Sequence, residues 1–180
     1  MKEKQKELEQ YLWHDTEGVE DIEQHLESSF PLIGQIVMYF NGLEKSLDKI
    51  LCEIISDRAD YKGLIVLHKM AYSTKVDLFK RFCDWFHVAI EDELDGYNDL
   101  IQNLKECAKL RNLTIHADWE NADIENYTYI NLRISKSGMI QEYAQLTEQS
   151  LKETVELILK TSIELDEYWQ KRNEKLYCID

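Results

Sequence analysis

Apolar residues recur at spacings of three and four along four long stretches of the chain, which is the period of an amphipathic α-helix. The first stretch carries Ile33, Ile36, Phe40, Leu43, Leu47, Ile50 and Ile54. The pattern predicts long helices from Pro31 to about Ser56, from Leu64 or Ser73 to Ile90, from Tyr97 or Asn98 to Ile115, and from Thr147 or Ser150 to Trp169. Ser29 is predicted to cap the first helix, with Pro31 in its first turn. A break is predicted from Asp57 to Gly63.

The period changes from 3.6 to 2 between the third and fourth helices. Thr128, Ile130, Leu132 and Ile134 alternate with more polar positions, Ser135–Gly138 has turn composition, and Met139–Tyr143 is suited to a return strand. One β-hairpin is therefore predicted here. The fourth helix is predicted to begin with a capping box, Ser150-x-x-Glu153.

Residues 1–27 are polar and acidic, and two short amphipathic helices are predicted within them. The first would use Leu8, Leu12 and Trp13, and the second Val19, Ile22 and Leu26. The predicted fold is all-α: an antiparallel four-helix bundle with one β-hairpin and an acidic N-terminal helical arm. The arm spans residues 1–30 and the bundle residues 31–180, in a single domain overall.

Composition supports long helices, because the 180 residues include only 6 Gly and 1 Pro. The net charge of −14 repels nucleic acid and anionic membranes. Any RNA contact therefore needs a local basic site or a basic partner.

The four cysteines, Cys52, Cys83, Cys107 and Cys178, form no CxxC pair, and a charged rather than an apolar stretch follows Met1. The expectation is a cytoplasmic protein with reduced thiols, the first three of which fill the core. No run of residues approaches the roughly 18 apolar residues of a membrane span, so no membrane association is expected.

The strongest chemical signal is Arg111-Asn112-Leu113-Thr114-Ile115-His116 at the end of the third helix. A guanidinium keeps its charge and binds phosphate oxygens through paired donors, whereas an imidazole exchanges protons near physiological pH. Asn112 and His116 share one helix face, and Arg111 lies about 140° around the helix from His116. Asn112 is suited to orient either His116 or a phosphate oxygen.

This motif resembles the Arg-(polar)-x(4 to 6)-His signature of the HEPN superfamily, the higher eukaryote and prokaryote nucleotide-binding proteins. Asn41-x-x-Glu44 in the first helix and the hairpin after the motif are similar as well, and the resemblance covers roughly residues 31–175. It implies metal-independent RNA cleavage that leaves a 2′,3′-cyclic phosphate, with Arg111, Asn112 and His116 as catalytic residues and no cofactor. It further implies a homodimer whose two motifs share one cleft, a toxin or phage-defence role, and an antitoxin or other regulatory partner.

Weaker signals accompany the motif. Lys105 and Lys109 give the motif helix a modest positive charge suited to RNA contact, and Trp119 is placed either to stack on a base or to cover the hairpin. Cys83, His87 and Glu91 have a spacing that can bind zinc, but no fourth ligand is in view and no metal is expected. His14, His25 and His68 are interpreted as surface or helix-end residues.

A structural interpretation stands beside the catalytic one. Arg111 would pair with an acid such as Glu44, His116 would sit at a helix C-terminus, and the chain would be a non-catalytic interaction module with a HEPN-like fold. The environment of His116 distinguishes the two interpretations. An accessible imidazole beside Arg111 favours the enzyme.

Overall fold

A computed structural model describes residues 1–8, 19–56, 59–119, 122–123, 125–136 and 138–177. In chain order its elements are β1 (Glu3–Glu7), α1 (Val19–Ile55), α2 (Asp60–Leu67), α3 (Tyr72–Ile90), α4 (Tyr97–His116), β2 (Tyr127–Ser135), β3 (Gly138–Gln145) and α5 (Glu148–Tyr177). The described chain is mostly helical with a small antiparallel sheet, which confirms the predicted helical class. Leu12, Trp13, His14, Ser137 and Cys178, which entered the predictions, lie outside the described residues.

The chain divides into two compact units. The first unit comprises Met1–Val37 and Leu110–Val155, and the second comprises Met38–Lys109 and Glu156–Asp180. The first unit holds the sheet and the end of α4, which carries the arginine–histidine motif. The second holds α2, α3 and most of the buried apolar side chains.

The sheet of the first unit has the strand order β1-β3-β2, with both pairs antiparallel. The predicted hairpin is confirmed: Ser135 pairs with Gly138 at its turn, and the register shifts between Tyr129 and Asn131. The helical prediction for the N-terminal arm is wrong at β1, where Glu3–Glu7 adds a third strand beside β3. This segment, EKQKE, has no apolar alternation because it lies at a sheet edge, where charged residues discourage pairing with further strands.

Asp123 ties β1 to the start of β2. Its carboxylate accepts hydrogen bonds from Lys4 Nζ at 2.7 Å, from the Tyr127 backbone N–H at 2.8 Å and from the Glu125 N–H at 3.0 Å. Burial alone raises the pKa of Asp123, but the bond from Lys4 and the two backbone donors outweigh it, so the pKa lies below its usual value. The charged form of Asp123 therefore holds this corner together.

Helix α1 begins at Val19, ten residues before the predicted cap, and continues through Pro31. Ser29 is fully buried inside the helix instead of capping it. The helix continues because its inward face is unbroken. The apolar residues Leu26, Ile33 and Ile36 and the buried Ser29 follow one another at spacings of three and four across the proline. Pro31 removes one backbone hydrogen bond, and the continuous face outweighs that loss.

The core of the second unit is built from one face of each long helix. Its fully buried side chains include Leu43, Leu47 and Leu51 of α1, Phe79 and Cys83 of α3, Leu104 and Cys107 of α4, and Ile158 and Leu165 of α5. Cys52, Cys83 and Cys107 are free and buried, which confirms their predicted role as core residues.

The sequence left two possible starts for the second long helix, Leu64 and Ser73. The structure has two separate helices in this region, α2 and α3. The predicted break from Asp57 to Gly63 therefore ends too late, because α2 already begins at Asp60. Gly63 allows α2 to approach α1, since a Cβ at this position would lie 2.6 Å from Cys52 Cα. The third long helix begins at Tyr97 as predicted.

Helix α5 is capped by Thr147, whose Oγ1 accepts the backbone N–H of Ser150 at 3.2 Å. Ser150 lies in the first turn, so the predicted box of Ser150 and Glu153 is wrong. The box fails because Thr147 already supplies the cap three residues earlier. Glu153 instead accepts a hydrogen bond from Gln149 at 3.0 Å.

Candidate functional site

The motif occupies the last turns of α4 in the first unit. Thr114 is fully buried, and its hydroxyl donates to the Leu110 carbonyl at 2.9 Å. The helix is therefore fixed with Thr114 inward, and the remaining positions follow from the helical period. Asn112 and His116 are exposed, while Arg111 is half-buried.

Arg111 and Asn112 are joined directly. Arg111 Nη1 donates to Asn112 Oδ1 at 2.9 Å. The amide oxygen thus orients the guanidinium, and the amide nitrogen of Asn112 keeps its donors. Glu44, the acid named as an alternative partner of Arg111, accepts a hydrogen bond from Lys75 at 2.8 Å in the second unit.

Trp119 follows the motif and is tied back to it. Its indole Nε1 donates to the Thr114 carbonyl at 2.8 Å, which satisfies one of the carbonyl groups that a helix end leaves without an intrahelical partner. Trp119 packs against a buried apolar cluster of the first unit, formed by Ala117, Ala144 and Leu146, which Ile130 also contacts. Trp119 itself is half-buried.

His25 of α1 supplies the other contact of Trp119. The two ring centroids are 5.9 Å apart and the ring planes are inclined by 34°. Burial lowers the pKa of His25, which favours the neutral imidazole. Its Nε2 is buried and has no hydrogen-bond partner among the described residues.

Sequence reasoning missed His25 because it began the first helix at the predicted cap, Ser29, four residues after His25. Once the helix is continued through Pro31, His25 lies four residues before the fully buried Ser29 and shares its face. The uninterrupted spacing of three and four was the sequence signal that could have placed His25 on this helix.

The two lysines proposed for RNA contact belong to the second unit. Both are exposed, and Lys105 Nζ lies 3.2 Å from Asp77 Oδ1. The positive charge counted along the motif helix is thus partly neutralised by an acid from α3.

The possible zinc ligands of α3 are engaged in structural roles. Burial raises the pKa of the Cys83 thiol to about 12, so this sulfur stays protonated. His87 Nε2 lies 3.2 Å from the Tyr168 hydroxyl, and Glu91 ends α3 in a left-handed conformation. Within the described residues, no group of three or more His, Cys, Asp or Glu side chains is arranged to hold a metal ion.

A cavity of about 460 Å³ lies in the second unit and contains none of the motif residues. It is lined by Asp92, Glu93, Leu94, Asp95, Lys171, Glu174 and Lys175. Its four acids and two lysines give it a net negative charge, which disfavours a phosphate.

Comparisons of the chain with protein-family models, curated proteins and solved structures gave no match. The resemblance to the HEPN superfamily therefore rests on sequence features alone: the motif, Asn41-x-x-Glu44 and the hairpin that follows the motif. Among the described helices, none combines the length and apolar composition that a membrane crossing requires.

Proposed function

We propose that this chain is a metal-independent endoribonuclease of the HEPN type. The observation that carries the proposal is the exposed His116 in the last turn of α4, on the same helix as an Arg111 guanidinium that Asn112 orients. An accessible imidazole near a fixed cation is the minimum that RNA cleavage through the 2′-hydroxyl requires. An antiparallel HEPN-like bundle is part of the same proposal.

In the proposed reaction, His116 accepts the proton of the ribose 2′-hydroxyl. The 2′-oxygen then attacks the adjacent phosphorus, and the bond from phosphorus to the 5′-oxygen breaks. The leaving oxygen takes up a proton, so the products are a 2′,3′-cyclic phosphate and a 5′-hydroxyl. Arg111 stabilises the negative charge that develops on the non-bridging oxygens.

The proton for the leaving group requires a second acid. We propose that His116 of a second copy provides it, in a two-fold homodimer whose motifs face one groove. Each chain brings a net charge of −14, so the interface must be apolar and larger than about 1,000 Å² in total. Salt should strengthen dimerisation by screening the repulsion and weaken RNA binding by competing for the phosphate.

The test is incubation of the purified protein with mixed RNA in EDTA, followed by analysis of the new ends. Wild-type protein should leave cyclic phosphates, and His116→Ala should lose about 10²- to 10⁴-fold in rate. Arg111→Lys should also lose activity, because it keeps the charge and removes the paired donors. His68→Ala is the matched control, since His68 is an exposed histidine of the second unit.

Two outcomes would contradict the enzyme. Cleavage that survives in His116→Ala would come from another site or a contaminant. A monomer in sedimentation at micromolar concentration and moderate salt would remove the shared groove.

A toxin or phage-defence role, with an antitoxin or other regulatory partner, follows from the resemblance and belongs to the proposal. Expression of the wild-type chain in bacterial cells should arrest growth, while equal expression of His116→Ala should not. Growth arrest by both proteins would separate toxicity from the motif.

A non-catalytic interaction module is the second candidate. The observation that favours it is the outer face of α2, where Tyr61, Leu64 and Ile65 are 61%, 58% and 71% exposed. Neighbouring apolar side chains with this exposure are typical of protein contact surfaces. Absence of cleavage by well-folded dimeric protein would favour this candidate.

A further inference from the structure

Three contacts hold the Trp119 side chain in place. It is fixed by the hydrogen bond to the Thr114 carbonyl at 2.8 Å, by the apolar cluster of Ala117, Ala144 and Leu146, and by the His25 ring at 5.9 Å. The residue as a whole is nevertheless only half-buried. An aromatic side chain that is fixed and partly exposed can stack on another flat ring with little loss of conformational entropy.

A hydrogen bond connects the Trp119 indole to the helix that carries the motif. Its hydrogen-bond acceptor, Thr114, lies between Asn112 and His116 on the same helix. A phosphate held by Arg111 and attacked with the help of His116 carries a nucleoside on each side. The hydrogen bond to Thr114 keeps Trp119 at the end of the helix that carries His116, and the proposal below places one of those nucleosides there.

His25 presents a flat ring to Trp119. Its Nε2 is covered and has no partner within the described part of the chain. The imidazole thus acts on a substrate only through Trp119, by fixing the tilt of the indole. His25 is in this sense a positioning residue, and its ring matters more than its nitrogens.

We propose that Trp119, positioned by His25, is a stacking platform for one unpaired base of a single-stranded RNA next to the motif. The inference rests on the proposed ribonuclease function and adds the substrate class. A base inside a duplex already stacks on its neighbours and is not free to stack on the indole, so the platform selects unpaired RNA. Every base has a flat face, so the platform tolerates any base sequence.

The test measures binding of a short single-stranded RNA at low salt in the His116→Ala background, where cleavage does not remove the ligand. Tryptophan fluorescence should be quenched on binding, and Trp119→Leu should abolish most of that quenching. Trp119→Leu should also weaken binding by roughly 5- to 150-fold, the range measured for losing one base–aromatic stack. A hairpin of the same base composition and an oligonucleotide with one abasic position at the bound step should bind correspondingly more weakly.

Conservative variants separate positioning from simple folding. His25→Ala should weaken binding and raise KM with little change in kcat, whereas His25→Phe should restore both because it keeps a flat ring. Trp119→Phe should retain most of the binding and guards against misfolding of Trp119→Leu. The matched control is Trp85→Leu, since Trp85 is 74% exposed on α3 in the second unit.

The outcomes distinguish this proposal from the ribonuclease itself. Unchanged binding by folded Trp119→Leu, or an equal loss in Trp85→Leu, overturns the platform even where cleavage is found. Equal binding of duplex and single-stranded RNA overturns it as well, as does the absence of any RNA binding by the wild-type fold. Binding that depends on Trp119 without any cleavage supports the platform and rejects the ribonuclease.

Discussion

Replacing Lys75 with methionine removes the most buried cation that the structure describes. The Lys75 side chain is 8% exposed, and its Nζ lies 2.8 Å from Glu44 and 2.8 Å from Asp48. Both acids lie on α1, one helical turn apart, while Lys75 lies in the first turn of α3. Lys75→Met keeps most of the volume of the stem and deletes the charge.

The expected cost is smaller than for a fully buried ion pair. Removing one partner of such a pair typically costs about 3–5 kcal/mol. Here Glu44 and Asp48 remain 31% and 30% exposed, so water can hydrate both carboxylates once the ammonium is gone. Repulsion between the two acids adds only about 0.2–0.5 kcal/mol. We expect a net loss of about 1–3 kcal/mol, between the values for exposed and fully buried pairs.

The assay is urea unfolding followed by circular dichroism, with Lys152→Met as the matched control. Lys152 pairs with Glu148 at the surface, where the side chains are 51% and 54% exposed, so its loss should leave the free energy of unfolding nearly unchanged. Converting Glu44 and Asp48 to Gln and Asn in the Lys75→Met protein should recover part of the loss, because no unpaired charge is then left.

The pH dependence of the difference between wild type and Lys75→Met gives a second check. Burial alone lowers the pKa of Lys75, but the hydrogen bonds with Asp48 and Glu44 outweigh it, and the pKa lies above its usual value. The stabilisation is therefore fully present below the unfolded pKa of about 10.4 and is lost only as pH rises beyond it. A variant as stable as wild type, or a difference that disappears between neutral pH and about pH 9, would refute the reasoning.

Three further predictions concern local features of the two units. Gly63→Ala should destabilise the fold by about 1–3 kcal/mol, because the new Cβ would meet Cys52. Gly42→Ala has open space around its Cβ and should stabilise the fold by up to about 1 kcal/mol. Equal shifts in melting temperature would refute the close approach of α2 to α1 at Gly63. Because the folded pKa of Asp123 is lowered, its stabilisation is present above the unfolded pKa of about 3.9 and is lost below it. Unfolding free energies of Asp123→Asn and wild type should thus differ at neutral pH and converge below about pH 4. Because the folded pKa of His25 is lowered, wild type should lose stability relative to His25→Phe as pH falls below about 6.5, and parallel pH profiles would contradict this.

The parts of the fold that could be predicted are those in which one face is buried and the other is not. Helix α4 and the β2–β3 hairpin each show a clear period, so the start at Tyr97 and the turn at Ser135–Gly138 follow from the sequence. The motif residues could be placed at the end of α4 for the same reason. The exposure of Asn112 and His116 could not be predicted from the sequence. The structure shows it, because Thr114 turns inward and the helical period then turns Asn112 and His116 outward.

The parts that could not be predicted depend on contacts distant in sequence. Strand β1 is stabilised by backbone hydrogen bonds with β3 and by the ion pair of Lys4 with Asp123, and neither leaves an apolar pattern. The start of α1 was obscured by Pro31, which local rules assign to a first turn. The contact of His25 with Trp119 joins two segments far apart in the chain, so no spacing within one segment indicates it.

The acidity of the chain explains why a stacking contact matters for the proposed site. A binder that neutralises many phosphates gains affinity from released counterions. This chain has a net charge of −14, and Lys105 on the motif helix is paired with Asp77. Arg111 therefore supplies little electrostatic attraction, and in the proposed function the affinity for RNA has to come largely from contacts that do not depend on charge. Stacking of an unpaired base on Trp119 is such a contact, and it acts on the substrate class that the proposed chemistry requires.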